Sequence, residues 1–184
     1  MVICRVPSSL CSLRPLVAVS ACLLGEPVRY DGRHKRDGDL LALLGDVDIL
    51  PVCPEVGIGL GVPRAPIQVY RVDGGLRVAD RCDPHRDHTG LLRRFARDWL
   101  AAHSRVDGCV LKSRSPSCAV ADAPYFDRCG RPLSDAGGAL VGAGLFAEAL
   151  GSFLPLIDEV RVRDEAACAA FLLAVRHAGG TRPG

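Results

Sequence analysis

The sequence predicts an α/β fold: a layered, mainly parallel β-sheet with flanking helices and an inserted β-hairpin. Three short apolar runs rich in β-branched residues indicate buried strands, and segments with helical spacing of apolar residues lie between and after them. Strands that alternate with helices favour parallel pairing, because a chain reaches a parallel neighbour only through a crossover. The composition, with 48% hydrophobic and 24% charged residues, is that of a folded domain and excludes a disordered chain.

Each predicted element has a local signal. The apolar runs predict strands over residues 16–21, 47–52 and 108–111. The turn residues Asp73-Gly74-Gly75, between two further apolar stretches, predict a hairpin with strands over 67–72 and 76–79. Apolar side chains at helical spacing predict helices over residues 40–44, 91–100, 140–150 and 166–177.

One domain is expected over residues 16–178, between an N-terminal extension over 1–15 and a flexible tail over 179–184. The extension lacks the unbroken apolar run of ~7–15 residues that a secretory signal needs. No stretch approaches the ~20 apolar residues of a membrane span. A cytoplasmic protein with no membrane partner is therefore expected, and the net charge of +2 gives no general signature of polyanion binding.

Nine cysteines are many for this chain, and in a reducing compartment clustered cysteines more often bind metal or do chemistry than form disulfides. Cys22, Cys53 and Cys118 stand in loops that follow the three predicted buried strands. Because parallel strands end at the same edge of their sheet, we expect these three thiols to meet there. Cys4 and Cys11, in the N-terminal extension, are expected to be incidental.

Three thiolates at one edge of the sheet are compatible with several kinds of site. Isolated cysteines are most often small buried hydrophobes. Tetrahedral zinc takes four protein ligands, or three and a water at a catalytic site. A cubane iron–sulfur cluster held by only three cysteines leaves one iron open, and that iron is a Lewis acid suited to a soft ligand such as sulfur. A second segment, Cys82-x-x-His85-x-x-His88, has metal-ligand spacing but is also explained as a solvated loop before a helix.

Four groups of short motifs, within a stretch from about residue 16 to about residue 175, together resemble the 2-thiouracil desulfidase family in its single-domain form. In chain order they are SACLLG (20–25) with VRYDG (28–32), VCPE (52–55), PRAP (63–66), and LKS (111–113) with SPSC (115–118).

The resemblance implies a [4Fe-4S] cluster with one open iron and three cysteine ligands, which match Cys22, Cys53 and Cys118. It implies removal of sulfur from thiolated uracil bases or nucleotides, giving the uracil derivative and hydrogen sulfide. The free base, a thiouridine nucleotide and thiolated RNA all stay open as the substrate. It also implies catalytic roles for Glu55 and for one serine of the SPSC loop. Ser115 is expected to be that serine, with Ser117 as the alternative.

These roles lead to a hydrolytic mechanism without net electron transfer. Glu55 deprotonates a water that attacks the thiolated carbon, and Ser115, Lys112 or loop amides stabilise the developing charge. The basic stretch after Cys22 is expected to bind a nucleotide phosphate or an RNA backbone, although a solvated loop would also explain it. Residues assigned to substrate binding are Arg29, Tyr30, Arg33, Lys35, Arg36, Arg64 and Ser117.

Arg64 has an alternative reading as the structural partner of a buried carboxylate, and Glu55 has one as a surface carboxylate that caps a turn. Two other functions use the same cysteines. A tRNA sulfur-transfer enzyme would need a pyrophosphate loop of the Ser-Gly-Gly type, and the sequence contains none. A non-enzymatic metal-binding or redox-sensing module would not require Glu55 and Ser115 beside the ligands.

Overall fold

The computed structural model describes residues 14–73 and 75–180, over which strands alternate with helices. Most of the expected extension, with Cys4 and Cys11, and most of the expected tail lie outside the described residues. The elements in chain order are β1 (Leu16–Ser20), α1 (Leu40–Leu44), β2 (Asp48–Val52), α2 (Pro54–Gly57), β3 (Ile67–Val72), β4 (Gly75–Asp80), α3 (Thr89–Ala102), β5 (Val106–Leu111), β6 (Ala123–Phe126), β7 (Ser134–Asp135), β8 (Gly138–Ala139), β9 (Val141–Gly142), α4 (Leu145–Leu150), β10 (Leu156–Asp158) and α5 (Glu165–Gly180).

A four-stranded, fully parallel sheet forms the centre of the fold, which confirms the predicted α/β class. Its strand order is β10-β5-β1-β2, so β1 and β5 are the inner strands. Every residue of β5 is buried. This burial explains why the inner strands are mostly apolar, with the buried Asp107 as the exception in β5: helices cover both faces of a parallel sheet, so neither face alternates with polar residues.

Two helical layers enclose this sheet. On one face, Val17 and Val110 pack in a cluster with residues of α1 and α5, among them Leu40 and Phe171. On the other face, Ala18, Cys109 and Leu111 pack in a cluster with side chains of α3 and α4, among them Trp99 and Phe146. The side chains of β1, and those of residues 109–111 in β5, alternate between the two clusters, as the period of a strand requires.

A second, mixed sheet of order β4-β3-β6-β9 packs beside the first. The predicted hairpin is present as the antiparallel pair β3–β4, and β6 joins β3 in parallel. The sequence predicted neither β6 nor β9, because one contains Pro124 and the other has only two residues. The first half of the predicted helix over 140–150 is therefore wrong: α4 begins at Leu145, after Gly144.

Gly144 lies where α4 approaches the loop that carries Cys118. The amide of Gly144 donates to the carbonyl of Ala119, and the amide of Phe146 donates to the carbonyl of Ser117. A Cβ atom on Gly144 would stand 2.6 Å from the carbonyl carbon of Ser117. Only a glycine therefore permits this approach, and α4 fixes the position of the loop.

We expect Gly144→Ala to destabilise the protein by about 1–3 kcal/mol, because backbone rather than a flexible side chain must move to admit the methyl group. Urea unfolding measures this loss. Gly90→Ala is the matched control, since a Cβ at Gly90 meets nothing within 4 Å. The control is expected to be neutral or to stabilise by up to about 1 kcal/mol. Equal losses in the two variants would contradict the proposed contact.

Candidate functional site

A cavity of about 450 Å³ lies at the carboxyl edge of the parallel sheet. The chain segments that leave β1, β2 and β5 line it, and they bring Cys22, Cys53 and Cys118 together on its wall. These cysteines are 31 and 65 residues apart in sequence (53 − 22 and 118 − 53), so the shared edge of the sheet is what makes them neighbours.

Each cysteine is held by a different local structure. Cys22 lies in the 3-10 turn Ala21–Leu23 that directly continues β1. Cys53 is the N-cap residue of α2, with Pro54 in the first turn of that helix. Cys118 follows a turn organised by Ser115, whose Oγ accepts from the amide of Cys118 at 3.1 Å. Rigid backbone therefore presents all three thiols to the cavity.

Burial raises the pKa of the Cys22 thiol to about 11, and the neighbouring Cys53 adds to the rise. Burial also raises the pKa of Cys53. For Cys118, burial raises the pKa well above the ordinary thiol value; a hydrogen bond from Ser20 opposes this, while Cys53 and Cys22 reinforce it. Burial thus disfavours the thiolate form at all three positions, and a bound cationic group would offset this effect.

Glu55 lies in the cavity as the partner of Arg64. Its Oε2 accepts from Arg64 Nε at 2.9 Å and from Nη2 at 2.7 Å, while its Oε1 accepts from the Ser117 hydroxyl at 3.1 Å. Arg64 is fixed in turn by the carbonyls of Val28 and Gly61. The structure therefore makes Arg64 the partner of the Glu55 carboxylate. Glu55 is held by these side-chain contacts and is not an exposed residue that caps a turn.

Lys112 and Ser113, directly after β5, form a second polar group at the cavity. The Lys112 ammonium contacts Glu159 Oε1 and also donates to the hydroxyl and carbonyl of Ser113. Glu159 Oε1 accepts from the Ser113 hydroxyl at 2.7 Å, and Oε2 accepts from the Ser113 amide at 2.8 Å. This network links the exits of β5 and β10.

Only part of the basic stretch after Cys22 lines the cavity. Arg29, Tyr30 and Lys35 line the cavity, and the Lys35 amide donates to the carbonyl of Cys22 at 2.8 Å. Arg33 and Arg36 are exposed and are not among the lining residues.

The model of the 2-thiouracil desulfurase family matches residues 17–159 of this chain. The chain belongs to this family. A solved structure of the [4Fe-4S]-dependent thiouracil desulfidase TudS is similar, with a TM-score of 0.63 and 30% sequence identity over 85% of this chain and 99% of that chain. A Bacillus subtilis (strain 168) protein, the uncharacterized protein YbbK, is 27% identical over 111 residues, which is 56% of this chain and 72% of that protein. The family expected from the motifs is thus confirmed.

Sequence reasoning missed two charged residues of this family member's site. Arg114 lines the cavity. Glu159 does not line it but contacts Lys112, which does. Glu159 directly follows a strand, which is the same signal that singled out the cysteines. That strand, β10, has only three residues and was not recognised.

The segment with Cys82, His85 and His88 is built differently from the cavity. Cys82 is exposed, whereas His88 is buried and its Nε2 lies 2.8 Å from Asp80 Oδ1. His88 is thus paired with the buried Asp80. Among the described residues, no three His, Cys, Asp or Glu side chains are arranged to hold a single metal ion. Within the same part of the chain, no helix combines the length and apolarity that crossing a membrane requires.

The pKa of Glu159 predicts a specific dependence of stability on pH. Burial acts to raise this pKa, but hydrogen bonds from Lys112 and Ser113 outweigh burial and lower it. A carboxyl group with a lowered folded-state pKa stabilises the fold above its unfolded pKa, about 4.3 for Glu, and the contribution is lost as pH falls through the folded value. We expect the unfolding free energy of the metal-free protein to fall more steeply below about pH 4.3 than that of Glu159→Gln.

Urea unfolding at a series of pH values measures these slopes. Glu165→Gln, at an exposed position in the first turn of α5, is the control for loss of a carboxyl group. Identical slopes for the unmodified protein and Glu159→Gln would contradict the prediction.

Proposed function

We propose that this protein is an iron–sulfur-cluster-dependent desulfidase that removes sulfur from thiolated uracil bases or nucleotides. The observation that carries the proposal is the meeting of Cys22, Cys53 and Cys118 with the Arg64-bound carboxylate of Glu55 in one cavity. Family membership and the likeness to a [4Fe-4S]-dependent thiouracil desulfidase support it. The reaction converts C=S and water into C=O and hydrogen sulfide, so no electrons are gained or lost.

The donor set of the cavity fits a [4Fe-4S] cluster held by three cysteines. Thiolates are the usual ligands of such clusters, and ligation would offset the cost of ionising three buried thiols. When bound, the cluster would supply an iron without a protein ligand, which is a Lewis acid for sulfur.

In the proposed reaction, Glu55 takes a proton from water. Arg64 holds Oε2 through two hydrogen bonds, which fixes the plane of the carboxylate. The proton therefore goes to Oε1, the oxygen that also accepts from the Ser117 hydroxyl. Ser117 is fully buried, so we assign it to orienting Glu55 rather than to touching the substrate.

Ser115 is the serine placed to contact the substrate. It lines the cavity, and its oxygen already accepts from the amides of Ser117 and Cys118. Its own hydroxyl hydrogen is therefore the part available to donate, and it would stabilise negative charge that develops on the substrate.

Positive charge on the cavity wall favours an anionic form of the substrate. Arg29, Lys35 and Arg114 line the cavity in addition to Arg64 and Lys112. The charges of Arg29, Arg64 and Lys112 are paired with the carboxylates of Asp31, Glu55 and Glu159. We therefore propose that a thiouridine nucleotide, whose phosphate would meet this surface, is a better substrate than the free base. The exposed Arg33 and Arg36 would extend the same surface toward a longer thiolated RNA.

The test is anaerobic purification or reconstitution, followed by measurement of iron, acid-labile sulfide and absorbance. The loaded protein is then incubated with 2-thiouracil and with thiouridine monophosphate, and uracil product and released sulfide are quantified. A colourless protein loaded with zinc would favour a metal-binding module instead. A complete cluster without sulfide release from either substrate would favour a redox sensor.

Cysteine substitutions test whether a thiol binds the cluster or only packs in the protein interior. Cys118→Ala is expected to give protein with no cluster or a damaged one, because it removes a thiol from the cavity wall. Cys168→Ala is the matched control: Cys168 is also buried, but its Sγ faces the carbonyl of Leu43 at 3.6 Å. Iron content per chain is the measurement. Equal loss of iron in both variants would show that the cysteines act through folding.

Glu55→Gln tests the proton acceptor. The variant is expected to keep its cluster and to lose ~10²–10⁴-fold in turnover, the usual contribution of a general base. Glutamine has nearly the same shape, so cluster absorbance should stay close to that of the unmodified protein, while the melting temperature should fall because Arg64 loses its charged partner. Glu26→Gln, an exposed position in the segment after Cys22, is the control. Unchanged turnover with an intact cluster would remove Glu55 from the mechanism.

A further inference from the structure

Glu159 is a buried carboxylate at the same sheet edge as the cysteines, and the chemistry assigned above does not use it. It follows β10, which pairs with β5, so it stands opposite the chain that leaves β5. Both of its oxygens are engaged by Lys112 and Ser113, and its side chain is only 12% exposed. A carboxylate so enclosed is not available to bind substrate.

Lys112 is fixed by this arrangement. An ammonium group has three hydrogens, and those of Lys112 are directed to Glu159 Oε1, to the Ser113 hydroxyl at 2.8 Å and to the Ser113 carbonyl at 3.1 Å. Lys112 nevertheless lines the cavity. Its charge therefore reaches the cavity while its hydrogens remain bonded to the protein.

Lys112 and Cys22 line the same cavity and follow the neighbouring strands β5 and β1. The amide of Lys112 also donates to Ser20 Oγ at 3.0 Å, which ties the exit of β5 to that of β1. The pair is thus close to a cysteine of the cavity and is held rigidly relative to it.

We propose that Glu159 is a positioning residue that holds the Lys112 ammonium beside Cys22, so that the pair sets the electrostatic environment of the cysteine-bound cluster. This inference rests on the proposed function, because it requires a cluster on Cys22. In the desulfidation, a fixed positive charge on this side favours the anionic sulfur that leaves the substrate.

Removal of one charge at a time should move the reduction potential of the cluster in opposite directions. Glu159→Gln leaves an uncompensated ammonium, which favours the more negative reduced cluster and raises the potential. Lys112→Met removes the ammonium and lowers the potential. In the double variant both charges are gone, and we expect a potential close to that of the unmodified protein.

The experiment is redox titration of the reconstituted full-length protein, followed by absorbance and electron paramagnetic resonance, with Glu165→Gln as an exposed-carboxylate control. Opposite shifts in the single variants and their cancellation in the double variant support the proposal. Shifts in the same direction, or none, overturn it, because a purely structural role would not depend on the sign of the charge.

Two further outcomes are distinguishable. If Glu159→Gln does not fold, the double variant still decides: a potential near that of the unmodified protein supports the pair, and a potential like that of Lys112→Met overturns it. If the unmodified protein takes up no cluster, the proposed function fails and the inference fails with it. A cluster-loaded, active protein with unresponsive potentials rejects only the inference.

Discussion

Parallel pairing in the central sheet is the constraint on which the site depends. Because all four strands run the same way, their carboxyl ends meet at one edge, in the order β10-β5-β1-β2. The residues that follow these strands therefore stand in a row: Glu159, Lys112, Cys22 and Cys53. Cys118 joins the row because α4 packs against its loop at Gly144. One topological fact thus brings together residues from four distant parts of the chain.

The two ion pairs of the cavity are too enclosed to be explained by stability alone. The side chains of Arg64 and Glu55 are 8% and 14% exposed, and those of Lys112 and Glu159 are 17% and 12% exposed. Desolvation of such a pair commonly cancels its Coulombic attraction, so apolar residues of similar size would often serve the fold equally well. Placing a charge at a fixed point of the cavity is what an apolar replacement could not do.

The sequence predicted correctly those features that depend on one simple pattern, such as a long apolar run. The strands 16–21, 47–52 and 108–111 are apolar runs, and the convergence of three cysteines requires only that such strands be parallel. β10 and β9 are too short for their sequences to show the alternation of a strand. Without β10, the position of Glu159 at a strand end could not be predicted, and without β9, the start of α4 was predicted too early. The pairing of Arg64 with Glu55 depends on how the chain between them folds back, which local propensity does not determine.

The two ion pairs of the cavity differ in which partners line it. Beyond β2, both Glu55 and Arg64 line the cavity, and Arg64 binds only Oε2 of Glu55, so Oε1 is free of the arginine. Beyond β5, Lys112 lines the cavity while Glu159 is not among the lining residues, so a positive charge faces the cavity there. The hydrolysis proposed above would use both groups, because water loses a proton on one side of the thiolated carbon while negative charge collects on sulfur at the other. A site with two exposed carboxylates, or two exposed cations, would assist only one half of that reaction.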